Sequence, residues 1–265
     1  MDKIEEILAH VEELQSMPTI FLEALESIND PQVNAIKLST IVSKDMALTT
    51  KLLRFVNSAF YGFQKEITQV NNAIAMLGFQ MVKDIILMMA MKPMMTSKGG
   101  KDLWEHSIRC AYTSQMLAES ILDTPAEEVF TIGLLHDIGR AIIQIYSPED
   151  FDEIERLRKM GVDKLLVEDD LIGVTHLELG EAFAQKENLP EVISASIRHH
   201  HDPFIKGAPS MARIIYLAEM LIQKDIKKEP LTEEVIEKLG IEIEDVDALR
   251  KEIFEKTDAV LGILG

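Results

Sequence analysis

Apolar residues return every three or four positions along most of the chain, which is the spacing of one buried helical face. Ile4, Ile7, Leu8, Val11 and Leu14 mark a first amphipathic helix, and Pro18 lies just past its end. Phe21, Leu22, Leu25 and Ile28 mark a second, which Asn29-Asp30-Pro31 stops. Asp45 is placed to cap a helix whose apolar side is Leu48, Leu52, Phe55 and Val56. Asn57 to Gly62 (NSAFYG) reads as a turn, and helices follow over Val70 to Leu77 and Phe79 to Met91, with Gly78 between them. Nowhere do β-branched or aromatic residues alternate with polar ones over a useful length, so no sheet of consequence is expected. The pattern predicts an all-α protein.

Thr96 to Gly100 (TSKGG) is small, polar and Gly-rich, and divides the chain into a first half, 1–95, and a second, 101–265. Met88, Met89, Met91, Met94 and Met95, just before it, are either core or an adaptable interface. The second half opens with a helix holding Trp104, Ile108, Ala111, Tyr112 and Gln115. Thr124 as N-cap and Pro125 at the first position start the next, with Glu127 and Glu128 in its positive first turn. It runs through Val129, Phe130 and Leu134 to His136-Asp137, where Gly139 can kink or break it. Thr175 and Glu178 form a T-x-x-E capping box, which puts His176 in the first turn of a helix. Leu189-Pro190 opens a helix carrying Ile193 and Ile197 and ending in His199-His200-His201. Ser210 caps a last core helix with Ile214, Ile215, Ala218, Leu221 and Ile222, and a charged amphipathic tail follows Lys224.

Composition narrows the function classes. The 265 residues include 47% apolar and 27% charged side chains, the balance of a globular protein with a core. There are 45 acidic residues against 27 basic ones, a net charge of −18. Such a field repels nucleic acid and anionic lipid, and no Lys/Arg-rich run overrides it; Lys51 and Arg54 read as a solvated face. The single cysteine, Cys110, excludes an internal disulfide and reads as a small buried hydrophobe. The charged first residues and the short longest apolar run, Ile85 to Met91, give neither a signal peptide nor a membrane span, so a cytoplasmic location is expected.

Six of the seven histidines lie between positions 106 and 201. Imidazole with carboxylate suits Fe, Mn, Ni, Zn or Co. His136 and Asp137, being neighbours, can share a metal only near a helix end or between helices. His176 and His200-His201 stand at such ends, and His200, seven residues after Ile193 and three after Ile197, falls on the buried face. Glu219, four after Ile215 and three before Ile222, points partly inward, and a buried carboxylate needs a partner. Each residue alone has a plainer reading: His10 as a surface residue, His199 and His201 as complements to a helix dipole, His106 as a satisfied histidine, Glu219 as the edge of an apolar stripe.

The W-x-H-S of Trp104 to Ser107, the GLLHDIG of Gly133 to Gly139, the H-x-x-x-G of His176 to Gly180 and the HH-D-P of His200 to Pro203 resemble the HD superfamily of metal-dependent phosphohydrolases. In the first half, Met17-Pro18, Lys44 to Gly62 (KDMALTTKLLRFVNSAFYG) and Ala73 to Leu87 (AIAMLGFQMVKDIIL) resemble the HDOD domain, the HD-related output domain. The resemblance implies an N-terminal helical bundle packed on an HD-like C-terminal bundle, and a role in bacterial signal transduction beside other signalling proteins or a nucleotide-type ligand. It matches His106, His136, Asp137, His176, His200 and His201 to the metal positions of the related HD-GYP phosphodiesterases. Three departures qualify it. Ala218-Glu219 stands where that family has Ala-Asp, Arg140 where a lysine often follows, and the GYP segment is missing after Pro203. Three readings stay open: a regulatory module; a metal-dependent phosphohydrolase in which His136 and Asp137 are central and Arg140 stabilises phosphate charge; and an inert scaffold.

Overall fold

The computed structural model describes residues 2–14, 35–58, 61–97, 100–119, 124–223 and 246–264, and among them there are helices and turns but no strand. The expected second helix with Phe21 to Ile28, Met17-Pro18 and most of the charged tail lie outside the described residues. Contacts divide the chain into two compact units: Met1–Ser16 with Met94–Phe254, and Met17–Pro93 with Glu255–Gly265. The switch after Pro93 falls beside the TSKGG stretch, and each unit also takes a segment from the far end of the chain.

After the first helix, α1 (Lys3–Leu14), the smaller unit contains α2 (Ala35–Ser43), α3 (Met46–Val56), α4 (Val70–Leu77) and most of α5 (Phe79–Met95). Asp45 caps α3, its carboxylate accepting the Leu48 N–H at 2.9 Å, and Leu48, Leu52, Phe55 and Val56 are buried as the pattern requires. Asn57 closes the same helix. Its amide donates to the Leu53 and Ile67 carbonyls at 2.8 and 2.7 Å and accepts the Ile67 N–H at 2.7 Å, tying the chain after the NSAFYG turn back to α3. The methionines before the linker are core: Met88, Met91 and Met95 are fully buried, and Met89 and Met94 nearly so. Helix α5 runs through Pro93 to Met95, past the expected end at Met91. A proline there removes one N–H from the ladder, and burial of Met94 and Met95 holds the last turn on.

The larger unit comprises α1 (Lys3–Leu14), α6 (Lys101–Glu119), α7 (Ala126–Leu135), α8 (Ile138–Tyr146), α9 (Pro148–Lys159), α10 (Lys164–Ile172), α11 (His176–Lys186), α12 (Glu191–His199), α13 (Ser210–Ile222) and the start of α14 (Val246–Leu264). Helix α6 packs on α7 and α13, α8 on α1, α9 and α11, and α12 on α7, α11 and α13. Two glycines set how closely the central helices approach. A Cβ on Gly133 would lie 2.8 Å from the Ala111 Cα, so α6 and α7 meet backbone to backbone. A Cβ on Gly139 would lie 2.0 Å from the His176 carbonyl oxygen, so the start of α8 is pressed against the start of α11. Both contacts bring histidine-bearing backbone to the same place.

Three helix starts differ from expectation. The break after α7 comes at His136-Asp137 itself, before Gly139, which serves the close approach instead. Helix α7 begins at Ala126 and takes Pro125, not Thr124, as its cap residue. Helix α13 begins at Ser210 with Pro209 in the cap position and no side-chain cap. Pro125 and Pro209 have ψ of 92° and 148°, which is extended backbone, so α7 starts one residue later than a Thr124 cap would place it and α13 one residue earlier than a Ser210 cap would.

Candidate metal centre

The six matched histidine and aspartate positions and Glu219 converge inside the larger unit. His106 comes from the second turn of α6, His136 and Asp137 from the break between α7 and α8, and His176 from the first residue of α11. His200 and His201 follow the end of α12, and Glu219 comes from α13. His136, Asp137, His176 and His200 are 0% exposed, which decides against reading them as solvated helix-end residues. His10 is exposed, its ring edge-on to Tyr146, and His199 lies outside the cluster, so neither joins the site.

The donors fall into two sets on either side of Asp137. Oδ2 is 3.6 Å from both His106 Nε2 and His136 Nε2, which are 3.2 Å from each other. Glu219 Oε1 closes this set at 3.6 and 3.7 Å from the same two nitrogens. Oδ1 faces the other way, 3.5 Å from His176 Nε2 and 3.9 Å from His200 Nε2. His176, His200 and His201 can each offer a nitrogen within a mutual 4.8 Å, as can His106, His136 and Asp137, and His136, His200 and Glu219. Metal–nitrogen bonds of about 2.1 Å place neighbouring ligands about 3.0–3.4 Å apart, close to the spacing of the first set.

The outward nitrogens are fixed. His136 Nδ1 lies 2.8 Å from the Gly133 carbonyl and His200 Nδ1 2.7 Å from the Ile197 carbonyl. A carbonyl only accepts, so each Nδ1 carries the proton and the neutral ring's lone pair is on Nε2, facing the cluster. His176 Nδ1 is held at 2.6 Å by Glu168 Oε2, which also accepts the His176 backbone N–H at 2.9 Å. The Nε2 atoms of His176, His200 and His201 and the Oδ1 of Asp137 are buried without a hydrogen-bond partner. Buried polar atoms without partners are uncommon in folded proteins. Four of them around one point fit a divalent cation, and a nitrogen and carboxylate set without thiolate fits Fe, Mn, Ni or Zn.

Charge is arranged to match. Burial acts to raise the Asp137 carboxyl, but Lys164 and Arg140 outweigh it and hold the group well below the usual carboxylate range. Glu219 is likewise held well below that range against burial, by the imidazoles of His106 and His136 beside it. Burial lowers His176, His200 and His201, keeping these rings neutral, and it lowers His106 despite the pull of Glu219. His136 alone is raised: burial lowers it, and Cys110 and the carboxylates overcome burial. Glu168 is pushed up to about 7 by burial, against the stabilising His176 N–H.

Arg140 is tied at both ends, donating to Asp137 Oδ2 at 2.7 Å and to Glu155 Oε1 at 2.6 Å. It orients the aspartate. Arg213 turns away, its Nε on the Pro203 carbonyl at 3.4 Å and its guanidinium over the Phe204 ring, and leaves Glu219 to the histidines. Three side chains that surround the cluster are not legible in the sequence: Glu168, which bonds the His176 ring, Glu155, which holds Arg140, and Lys164, whose Nζ is 3.9 Å from Asp137 Oδ1.

The HDOD domain family matches residues 14–203. An uncharacterized protein of Treponema pallidum is 26% identical over 200 residues, which are 74% of this chain and 39% of that protein. The cyclic di-GMP phosphodiesterase CdgJ of Vibrio cholerae is 28% identical over 116 residues, 43% of this chain and 27% of that one. The chain therefore spans well under half the length of either relative. An HDOD domain protein of unknown function from Geobacter sulfurreducens has a solved structure that superposes with a TM-score of 0.77 and 22% identity, covering 98% of this chain and 96% of that one. That likeness is one of fold. Among the described residues no helix is long and apolar enough to cross a membrane.

Proposed function

This chain belongs to the HDOD family, and we propose that it is a regulatory output module of bacterial signal transduction whose larger unit holds a two-cation centre bridged by Asp137. One observation carries the reading. The two Asp137 oxygens face opposite sets of imidazole Nε2 atoms, and the Nδ1 atoms of His136, His176 and His200 are already committed to acceptors. His106, His136, Asp137 Oδ2 and Glu219 would hold one cation, and His176, His200, His201 and Asp137 Oδ1 the other. Loading would join α6, α11, α12, α13 and the α7–α8 break at one point, so occupancy would stiffen the unit and change the surface it offers. The partners proposed are other signalling proteins or a nucleotide-type ligand in the cytoplasm, with nucleic acid disfavoured by the net charge of −18. Elemental analysis of protein purified without chelator tests this. Stoichiometric Fe, Mn, Ni or Zn that is lost from the H136A/D137A variant is expected. Wild-type protein without stoichiometric metal refutes it. Capture of a specific signalling partner that depends on metal load would support the regulatory role.

A second reading, metal-dependent phosphohydrolase, is supported by the completeness of the inward-facing ligand set and by the similarity to the phosphodiesterase CdgJ. A bound divalent cation supplies Lewis acidity toward a phosphoryl oxygen and toward a water. Arg140 would orient Asp137, Glu168 would fix the His176 ring, and the shell of buried apolar side chains would keep bulk water out. Glu219, one methylene longer than aspartate, and the missing GYP segment alter the site where a cyclic dinucleotide would lie. Metal-loaded wild type that turns over nucleotides or generic phosphoesters, with H136A/D137A inactive, would establish it. Identical behaviour of the two proteins would dispose of it.

A further inference from the structure

The two terminal nitrogens of Arg140 each donate to a carboxylate, on Asp137 and Glu155, so its charge is already matched by two acids. Lys164 approaches the same aspartate at its other oxygen. It is the first residue of α10, and Asp163 fixes that turn by accepting the Leu165 and Leu166 N–H groups at 2.8 and 3.2 Å. The Lys164 side chain is only 14% exposed, yet Nζ stops 3.9 Å from Asp137 Oδ1, outside hydrogen-bond reach. Asp137 Oδ1 has no hydrogen-bond partner either. An ammonium carries three donors, and at 3.9 Å none of them bonds Asp137 Oδ1. A cation at the His176, His200 and His201 set would also draw on Oδ1, leaving Lys164 beside positive charge. An incoming anionic oxygen would meet both the ammonium and the cation.

We propose that Lys164 is the anion-binding residue of the centre, taking an oxygen of a phosphate or phosphoryl group in the space it shares with Asp137 Oδ1, His176 Nε2 and His200 Nε2. The inference rests on the two-cation reading for its full strength, and the test separates the two. Wild type, K164M and K164R are loaded with Mn2+, their metal content is measured, and each is titrated calorimetrically with inorganic phosphate and, separately, with AMP. Equal metal content in all three is expected. Binding of both probes should weaken about tenfold or more in K164M, the loss of one charge-assisted hydrogen bond. K164R, which keeps the charge, should recover most of it. The tighter of the two probes identifies the source of the phosphoryl group. Phosphate and AMP bound by K164M as tightly as by wild type overturn the proposal while the metal content leaves the cation reading standing. If wild type holds no metal, the cation reading fails, and the metal-free titration decides the inference: Lys164-dependent binding upholds it, and no binding overturns it.

Discussion

Replacing Glu168 by alanine should damage the centre without touching any residue that faces it. Glu168 is 1% exposed, and one of its oxygens accepts two donors from His176, the backbone N–H at 2.9 Å and the ring Nδ1–H at 2.6 Å. Alanine leaves both donors buried and unpaired. Each unpaired buried donor costs about 1–3 kcal/mol, so E168A should lose about 2–6 kcal/mol of stability by this route, before any cavity is counted. The freed ring can then turn or change tautomer, and loss of such an outer partner lowers metal affinity about 10–100-fold. E168Q separates the two effects, because an amide oxygen can still accept both donors. It should keep most of the stability and weaken metal binding less than E168A does. Urea unfolding of the metal-free proteins measures the first quantity, and competition with a chelator of known affinity the second. E168A with wild-type stability and wild-type metal affinity would refute the claim that this carboxylate sets the His176 ring.

The remaining predictions touch other parts of the same framework. G139A should destabilise the protein by about 1–3 kcal/mol or more, as overpacking does, because the added carbon meets the His176 backbone carbonyl, which cannot swing aside; unchanged urea unfolding would contradict that contact. T175A removes the capping box that starts α11, where the Thr175 side chain accepts the Glu178 N–H and Glu178 accepts the Thr175 N–H; a loss of about 1 kcal/mol is expected, read as a lower thermal midpoint. Glu155 is raised by burial but held below the usual carboxylate range by Arg140 and Arg158. Its ionised form is therefore favoured by folding, and it contributes stability above the unfolded pKa near 4.5 that is lost as pH falls through the folded value. E155Q should flatten the stability profile on that acid side, and an equally steep profile would count against the pair. Stripping metal with a chelator should lower the thermal midpoint, since a ligand at 100 times its Kd adds about 2.7 kcal/mol; a midpoint indifferent to metal would argue against a loaded centre.

How much of this was legible in the sequence follows from how local each determinant is. Asp45 and the Thr175–Glu178 box are side chains bonding backbone three residues away, so the sequence shows them directly. The burial of His200 followed from its phase with Ile193 and Ile197. The starts of α7 and α13 were misplaced by one residue because Thr124 and Ser210 are good capping types, and a proline next to each took the extended cap geometry instead. Gly139 read as a helix breaker, whereas its job is to admit the His176 backbone, a contact that exists only once α8 and α11 are packed. Glu168 was invisible for the same reason. It is followed by Asp169 and Asp170, both exposed, and nothing in the local period separates the buried acid from the solvated pair.

The need for Glu168 follows from where the histidines sit on their helices. The last four carbonyls of a helix have no partner within it, and the first four N–H groups have none either. His136 and His200 follow helix C-termini, so each finds an orphan carbonyl three residues back, at Gly133 and Ile197, ready to accept its Nδ1–H. The helix end fixes the tautomer without any further side chain. His176 stands at the opposite end, as the first residue of α11, where the backbone presents donors and no carbonyl. A ring placed there needs an acceptor from another helix, and its own N–H needs one too. One buried carboxylate oxygen supplies both, which is why a site otherwise built from helix termini must import Glu168 from α10. Substituting the acceptors at Gly133 or Ile197 is impossible, since they are backbone, so sensitivity of the outer shell to mutation should concentrate at position 168.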